Sequence, residues 1–357
     1  MKAALDKSPF YQKLAFNLTI LSLLTAMVYL GQDILMPFLF AVLLATLISP
    51  VTDFLQRRKL NKPISIIITL VLSLSIIVAI IYFLSTQIMN FLDDSDAIKT
   101  RLEEVYDSLQ EWVKKNFNIT IRKQDKYVHD TAQKLEAGKI VGKTFVSLTS
   151  VITYLAFLPI YSFLLLYYKD LIKRFLVACF RNGDEDTVKE VLHESRAVSQ
   201  YYILGLLIEM VIVFALNTTG FLILGIKYAV FLALISALLN LVPYIGMLTA
   251  NVFCMLITLV SSDNTSDVLW VGVILAVVQL VDNNFLMPLI VGSRVRINAL
   301  VTLLGVLIGG TLCGVPGMFL SIPTMAVLKV IFDRVEGLEP FGMMLGDDSE
   351  KTKKKGP

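Results

Sequence analysis

Charged residues are scarce in this sequence. They make up 17% of its 357 residues, whereas hydrophobic residues make up 56%. Soluble domains carry about 25% charged residues, so the composition excludes an ordinary soluble protein. Uncharged stretches of roughly 18 or more residues recur along the chain, and each is long enough to cross a bilayer as a helix. The composition therefore predicts a multi-pass protein surrounded by the lipid bilayer, with no nucleic-acid partner.

Cysteine and histidine are also scarce, which limits the available chemistry. The three cysteines, Cys179, Cys254 and Cys313, are scattered and indicate neither a disulfide framework nor a metal site. The two histidines, His129 and His193, lie outside the predicted membrane segments. Neither a His-Glu-x-x-His motif nor a phosphate-binding Gly-x-x-x-x-Gly-Lys motif occurs. The sequence therefore argues against an intramembrane enzyme and predicts no cofactor. Because no phosphate-binding motif occurs, any energy that the protein uses must come from ion or solute gradients.

Six apolar stretches are predicted to span the membrane as helices. They are residues 14–30, 34–55, 64–92, 145–168, 201–226 and 268–290. The first lacks a small-residue cleavage site, so it is predicted to be an uncleaved first helix. Short connections rich in Lys and Arg favour the cytoplasm, and such clusters follow the second helix (57–62) and the fourth (169–181). Both termini are then cytoplasmic, and residues 93–143 are external.

Two further uncharged stretches, residues 228–262 and 297–328, are too long for a single crossing. The first would measure about 52 Å as a straight helix, against a hydrocarbon core of about 30 Å. Proline and glycine interrupt both stretches, at residues 243–246 in the first and at 309–317 in the second. Such a pair of broken segments is typical of a transporter whose substrate site lies at the breaks.

The distribution of charge favours hairpins that return to the side from which they start. If each broken stretch crossed once, Arg294 and Arg296 would face outside and the acidic loop 263–267 would face inside. That arrangement violates the positive-inside rule, whereas re-entrant hairpins satisfy it. A helix followed by a hairpin then occurs twice, at 201–262 and at 268–331, in opposite orientations. This arrangement is an inverted repeat.

The predicted fold is an all-α membrane protein with about six spanning helices, two oppositely oriented re-entrant helical hairpins and a small helical extracytoplasmic insert. Five segments are predicted: N-terminal membrane helices (1–92), the insert (93–144), a fourth membrane helix with cytoplasmic helices (145–200), a transport core with the inverted repeat (201–335) and a cytoplasmic tail (336–357). Chemistry is expected in the transport core, because both hairpins lie there.

Polar side chains inside apolar spans are costly and commonly mark function. In the transport core they are Glu209 in the fifth span, Asn240 and Tyr244 beside the first hairpin's proline, Asn251 one or two turns beyond it, and Gln279, Asp282, Asn283 and Asn284 in the sixth span before Pro288. Structural interpretations stay open beside the functional ones. Glu209 either holds two helices together or handles ions. The amides either join helices by hydrogen bonds or bind a ligand. The stretch 282–284 either satisfies backbone groups at a break or faces the substrate. The glycines at 309–317 either permit close packing or expose backbone groups to a cavity.

Three short stretches of the transport core form a recognisable pattern. They are Leu-Val-Pro-Tyr-Ile-Gly at 241–246, Asp-Asn-Asn at 282–284 followed by Pro-Leu-Ile-Val-Gly at 288–292, and Gly-Gly at 309–310 followed by Gly-Val-Pro-Gly-Met at 314–318. In order and spacing they resemble the autoinducer-2 exporter family of bacterial membrane proteins, over nearly the whole chain. The resemblance implies location in the bacterial inner membrane, two hairpins that enclose the substrate, an elevator-type mechanism and homo-oligomers, with pentamers favoured.

The resemblance also implies a site at the hairpin tips, with residues 282–284 facing them. The substrate-binding residues are then Asn240, Pro243, Tyr244, Gly246, Gln279, Asp282, Asn283, Asn284, Gly309, Gly310, Gly314 and Pro316. Two functions stay open. One is export of a small polar organic solute such as autoinducer-2, a polyhydroxylated furanone. The other is sodium/proton antiport, with Glu209 and Asp282 as ion-coupling residues.

Overall fold

The protein is helical wherever its structure is described. The computed structural model describes residues 9–117, 156–179, 185–291, 297–335 and 337–346, and these ranges contain no strand. The helices are α1 (Phe10–Leu30), α2 (Gln32–Arg57), α3 (Lys62–Asp93), α4 (Ser95–Phe117), α5 (Ala156–Tyr167), α6 (Lys169–Cys179), α7 (Glu185–Ile223), α8 (Ala229–Asn240), α9 (Ile245–Ser261), α10 (Thr265–Val281), α11 (Ala299–Phe332) and α12 (Glu339–Leu345). A π-helical segment, Asp282–Val291, continues α10. The all-α prediction is confirmed over these ranges.

Five described helices are long and apolar enough to cross a membrane. They are Gln32–Arg57, Lys62–Phe91, Glu185–Ile223, Thr265–Ile290 and Ala299–Phe332. The first four coincide with the second, third, fifth and sixth predicted spans. The first predicted span is the shorter apolar helix Leu14–Leu30, and the described part of the fourth is α5. The last of the five long helices, α11, covers the second broken stretch.

The predicted external insert is described only in its first part. There the chain forms α4, from Ser95 to Phe117, which follows α3 directly. Residues 118–155, which contain the rest of the insert and the start of the fourth predicted span, lie outside the described ranges. The helical character of the insert is therefore confirmed for α4, and its position outside the cell stays a prediction.

The chain forms two compact units, each of which contains one broken stretch. The first unit comprises Met1–Thr46, Ala156–Ser195 and Ile297–Pro357, and the second comprises Leu47–Leu155 and Arg196–Arg296. The stretch 297–328 therefore belongs to the first unit, and the stretch 228–262 belongs to the second.

In the second unit, the stretch 228–262 folds back on itself as α8 and α9. Cys254 Sγ of α9 lies 3.5 Å from Leu232 O of α8, whereas a straight helix would separate these residues by about 33 Å. The reversal occurs at Pro243, which cannot donate a backbone hydrogen bond. The next residue, Tyr244, has φ 63° and ψ −57°, and Ile245 N donates to Pro243 O at 2.7 Å. This is a γ-turn of the rare, strained kind, and it closes the hairpin in very few residues.

In the first unit, α11 is also a hairpin. Its backbone leaves the helical conformation at Cys313 (φ −135°, ψ 16°) and Gly314 (φ 62°, ψ −149°). Ser321 Oγ donates to Gly305 O at 2.8 Å, although these residues would lie about 24 Å apart in a straight helix. Both broken stretches therefore reverse direction near their predicted breaks. That the two hairpins enter the bilayer and return stays a prediction.

An apolar core holds α7, α8, α9 and α10 of the second unit together. Phe221, Leu232, Cys254 and Val271, one from each helix, have no solvent exposure. Between helices in a bilayer, such contacts stabilise the fold through van der Waals packing. The core holds these four helices in place. It thereby also positions the polar side chains that the same helices carry.

Polar contacts also tie the start of α8 to the end of α3. Lys227 Nζ lies 2.6 Å from Asp94 Oδ2, and the Tyr228 hydroxyl donates to the same oxygen. The Tyr228 ring packs edge-on against Phe91, with ring centroids 5.5 Å apart. The hydrogen bond from the Lys227 ammonium holds the pKa of Asp94 below its usual value. The hairpin α8–α9 is therefore anchored at its open end.

Candidate functional site

Two buried carboxyl groups meet in the second unit. Asp282, directly after α10, is 3% exposed, and Glu209, within α7, is 5% exposed. Their carboxyl groups lie within hydrogen-bonding reach of each other. Two carboxylates that share a buried site repel each other, and a proton or a cation between them relieves the repulsion. The fold thus joins two ionisable residues that lie far apart in the sequence.

Two side-chain amides fix one oxygen of Asp282. Asn240 Nδ2 donates to Asp282 Oδ2 at 3.0 Å, and Gln279 Nε2 approaches the same atom at 3.4 Å. Asn240 is the last residue of α8, immediately before the tip of the hairpin. The reversal of the chain therefore brings a hairpin residue to the carboxylate, and any movement of the tip changes the hydrogen bonding of Asp282.

The segment that carries Asp282 is helical and contains no break at 282–284, where a break was one of two open interpretations. The chain continues as a π-helix from Asp282 to Val291, with Pro288 inside it. Proline lacks the N–H that a helix uses, and the wider turns of the π-helix accommodate it without a break. Asn284 Nδ2 donates to Leu280 O at 2.8 Å, and Gln279 Nε2 donates to Asn283 Oδ1 at 3.0 Å. Such π-helical turns are frequent at functional sites.

Three buried oxygen atoms of this region have no hydrogen-bond partner among the described residues. They are Glu209 Oε2, Asn217 Oδ1 and Asp282 Oδ1. A buried polar atom without a partner costs about 1–3 kcal/mol and requires an explanation such as water or a bound ion. Asn217 Oδ1 is an acceptor, and the two carboxyl oxygens are acceptors unless they are protonated. Hydrogen-bond donors or positive charge satisfy all three atoms, and a proton shared by Glu209 and Asp282 is one such charge.

A small cavity opens beside Asp282. Its empty space totals about 260 Å³ with open solvent included, but the centre of a water molecule can occupy only about 10 Å³ of it, roughly the room for one water. The cavity is lined by Val213, Asn217, Ser236, Asn240, Met247, Ala250, Asn251, Leu275, Val278, Gln279 and Asp282. Amide, hydroxyl and carboxyl groups thus project from apolar walls. The structure brings together Asn240, Gln279 and Asp282 of the predicted site.

Other predicted site residues have different surroundings. Pro243, Tyr244 and Gly246 form the hairpin tip and do not line the cavity, and Tyr244 is 51% exposed. Asn283 and Asn284 are exposed and bond within their own helix. The remaining four, Gly309, Gly310, Gly314 and Pro316, belong to the hairpin of the first unit. For all the residues of this paragraph, a role in substrate binding stays a prediction.

Sequence reasoning missed two polar residues that line the cavity, Asn217 and Ser236. They lie on α7 and α8, where Asn217 Nδ2 donates to Ser236 Oγ at 3.2 Å. A signal for Asn217 exists in the helical spacing, because positions 209, 213 and 217 share one face of α7. Serine is common in membrane helices, so the sequence carries no comparable signal for Ser236.

Comparisons with known proteins find a matching family model and several similar proteins. The family model described as "AI-2E family transporter" matches residues 18–337. YhhT of Escherichia coli, provisionally named a transport protein, is 24% identical over 343 residues, covering 94% of this chain and 95% of its own. YrrI of Bacillus subtilis, also provisionally named a transport protein, is 25% identical over 314 residues, covering 84% and 86%. The AI-2 transport protein TqsA of Escherichia coli is 21% identical over 343 residues, covering 94% and 96%.

Proposed function

The chain belongs to the AI-2E family of transporters, and we propose that it exports a small polar solute of the autoinducer-2 type through the cavity beside Asp282. A relative that bears the name AI-2 transport protein supports this class of solute. The observation that carries the proposal is the pair of buried oxygens of Asn217 and Asp282, which line this cavity and have no hydrogen-bond partner among the described residues. A solute with several hydroxyl groups supplies the donors that these oxygens lack.

The proposed mechanism is of the elevator type, with the two hairpins closing over the solute and exposing it to each side of the membrane in turn. Its support is that each uncharged stretch reverses direction, one near Tyr244 and the other at Gly314. Broken helices in two corresponding positions are typical of alternating access around one site. Gly309 and Gly310 would let the second tip approach the solute, as the sequence predicts.

One observation favours a second candidate, sodium/proton antiport. Glu209 and Asp282 face each other in a buried site, which suits a pair that exchanges a proton for a cation. Sodium prefers oxygen ligands, as other hard cations do. Each of the two carboxyl groups has one oxygen without a hydrogen-bond partner among the described residues. Antiport and solute export therefore require a direct comparison.

Vesicles that contain the purified protein provide that comparison. We expect a labelled polyhydroxylated furanone to enter protein-containing vesicles faster than protein-free vesicles, and excess unlabelled furanone to compete. Proton movement on addition of sodium is measured in the same preparation. Sodium-driven proton movement without furanone flux would replace solute export by antiport, and the absence of both activities would contradict both candidates.

The cellular arrangement is also proposed. We place the protein in the inner membrane with both termini in the cytoplasm, because this orientation puts the Lys- and Arg-rich connections inside. Homo-oligomers, with pentamers favoured, are the arrangement that the family resemblance implies. A mass measurement of the purified protein in detergent or nanodiscs tests the pentamer directly.

Thiol labelling tests the re-entrant hairpins. In a chain without its native cysteines, we expect Ser262→Cys to react with an impermeant reagent added to intact cells. Ser293→Cys should react only after the inner membrane is opened. The reason is that re-entrant hairpins put the acidic loop outside and Arg294 with Arg296 inside. The reversed labelling pattern would contradict this re-entrant topology.

A further inference from the structure

A second polar pair lies in the cavity, away from the carboxyl groups. Asn217 is 1% exposed, and its Nδ2 donates to Ser236 Oγ at 3.2 Å. Asn217 lies two helical turns beyond Glu209 on α7, a distance of about 12 Å along the axis. Ser236 lies one turn before Asn240 on α8, about 6 Å along that axis. The pair therefore forms a separate polar level of the same cavity.

The hydrogen bonding of this pair is incomplete at both residues. Asn217 Oδ1 is buried and accepts no hydrogen bond from the described part of the chain. Ser236 Oγ accepts the bond from Asn217, and its own hydrogen has no acceptor among the described residues. The pair thus offers one acceptor and one donor to a ligand. A hydroxyl group satisfies both, because it donates and accepts, whereas a bare cation satisfies only the oxygen.

We propose that Asn217 and Ser236 form a second binding position, which holds a hydroxyl group of the transported solute. Asn240 and Asp282 hold another polar group of the same solute, about one helical turn away along α8. This inference rests on the proposed solute export, because an organic solute carries polar groups at two such positions. A sodium ion or a proton uses Glu209 and Asp282 and leaves Asn217 unengaged.

Equilibrium binding to the purified full-length protein tests the inference. The probes are a tritiated polyhydroxylated furanone and a series of analogues that each lack one hydroxyl group. We expect Asn217→Ala to weaken binding of the full furanone about 5- to 100-fold, since a buried hydrogen-bonding group loses its partner. One analogue, which lacks the hydroxyl held by this pair, should bind wild type and Asn217→Ala equally.

A control variant and a second test variant make the result decisive. Thr219→Val changes an exposed residue of the same helix, whose hydroxyl donates to Ala215 O within that helix, and we expect no change in binding. If Asn217→Ala does not fold, Ser236→Ala is tested instead, because it removes only the hydroxyl group. We expect it to weaken binding of the full furanone and to leave binding of the same analogue unchanged.

Each contrary outcome identifies what has failed. Furanone binding by wild type with equal affinity in Asn217→Ala would overturn the second position while supporting solute export. Equal weakening for every analogue would show that Asn217 and Ser236 only join α7 to α8, which also overturns the inference. The absence of furanone binding by wild type would overturn the proposed function and the second position together.

Discussion

Replacing Asp282 by asparagine is expected to lower transport by one to two orders of magnitude while the protein stays folded. Asp282 supplies a carboxylate beside Glu209 and an unpaired oxygen beside the cavity. Hydrogen bonds to a charged group contribute about 1.5–3 kcal/mol, and each 1.4 kcal/mol corresponds to about a factor of ten. The measurement is initial furanone flux in vesicles, with sodium-driven proton movement alongside. For an antiporter, we expect ion coupling to be lost.

The substitution separates function from stability. The oxygen of asparagine can still accept from Asn240 Nδ2, and its amide can donate to the Glu209 carboxylate. It also removes the repulsion between two buried carboxyl groups, so we expect a thermal midpoint at or above that of wild type. Thermal unfolding of the purified variant checks this expectation.

Glu185→Gln is the matched control for the carboxyl pair. Glu185 lies on the same helix as Glu209 but is exposed, and it pairs only with Lys189, at 3.3 Å. Exposed ion pairs contribute little, so flux should equal that of wild type. Wild-type flux and ion coupling in the double variant Glu209→Gln, Asp282→Asn would show that the carboxyl pair has no part in transport.

The sequence predicted the carboxyl pair and the amide of Asn240 because each is a polar group in an apolar helix. Such residues stand out against their neighbours, and the cost of burying them makes function a reasonable inference. The sequence did not indicate that Glu209 and Asp282 touch, since their contact depends on the packing of α7, α8 and α10. One of the two interpretations left open for residues 282–284 was a break, and the chain there forms wider helical turns instead.

Asn217 and Ser236 were missed for a physical reason. Asn217 is followed by Thr218 and Thr219 near the end of a long apolar helix, where polar residues usually reflect the approach of the membrane surface. Ser236 is small and sits in an apolar helix without charge. Only the fold reveals that the two residues face each other across α7 and α8. The hairpin reversals were predictable, because proline and glycine constrain the backbone locally.

Gly246→Ala is expected to disrupt the hairpin of the second unit and to abolish transport. A Cβ atom at this position would lie inside van der Waals contact with Leu239 O, a backbone atom of α8. Backbone atoms cannot turn away as a flexible side chain can, so the tip must open. Overpacking typically costs about 1–3 kcal/mol, and the opening also moves Asn240 from Asp282. We expect a thermal midpoint several degrees lower and flux near that of protein-free vesicles.

Gly272→Ala distinguishes this steric effect from a general intolerance of larger residues. At position 272 the nearest atoms to an added Cβ belong to the Met255 side chain, at 3.4 Å, and that flexible side chain can adjust. We therefore expect near-normal stability and flux. The first unit offers a second pair. A Cβ on Gly309 would meet Ser321 Oγ and the backbone of Gly317, whereas one on Gly310 would meet the flexible side chain of Met318, with Cε at 2.5 Å and Cγ at 3.0 Å. Gly309→Ala should then be far more disruptive than Gly310→Ala. Equal effects within either pair would contradict a role for close backbone contact in closing the hairpins.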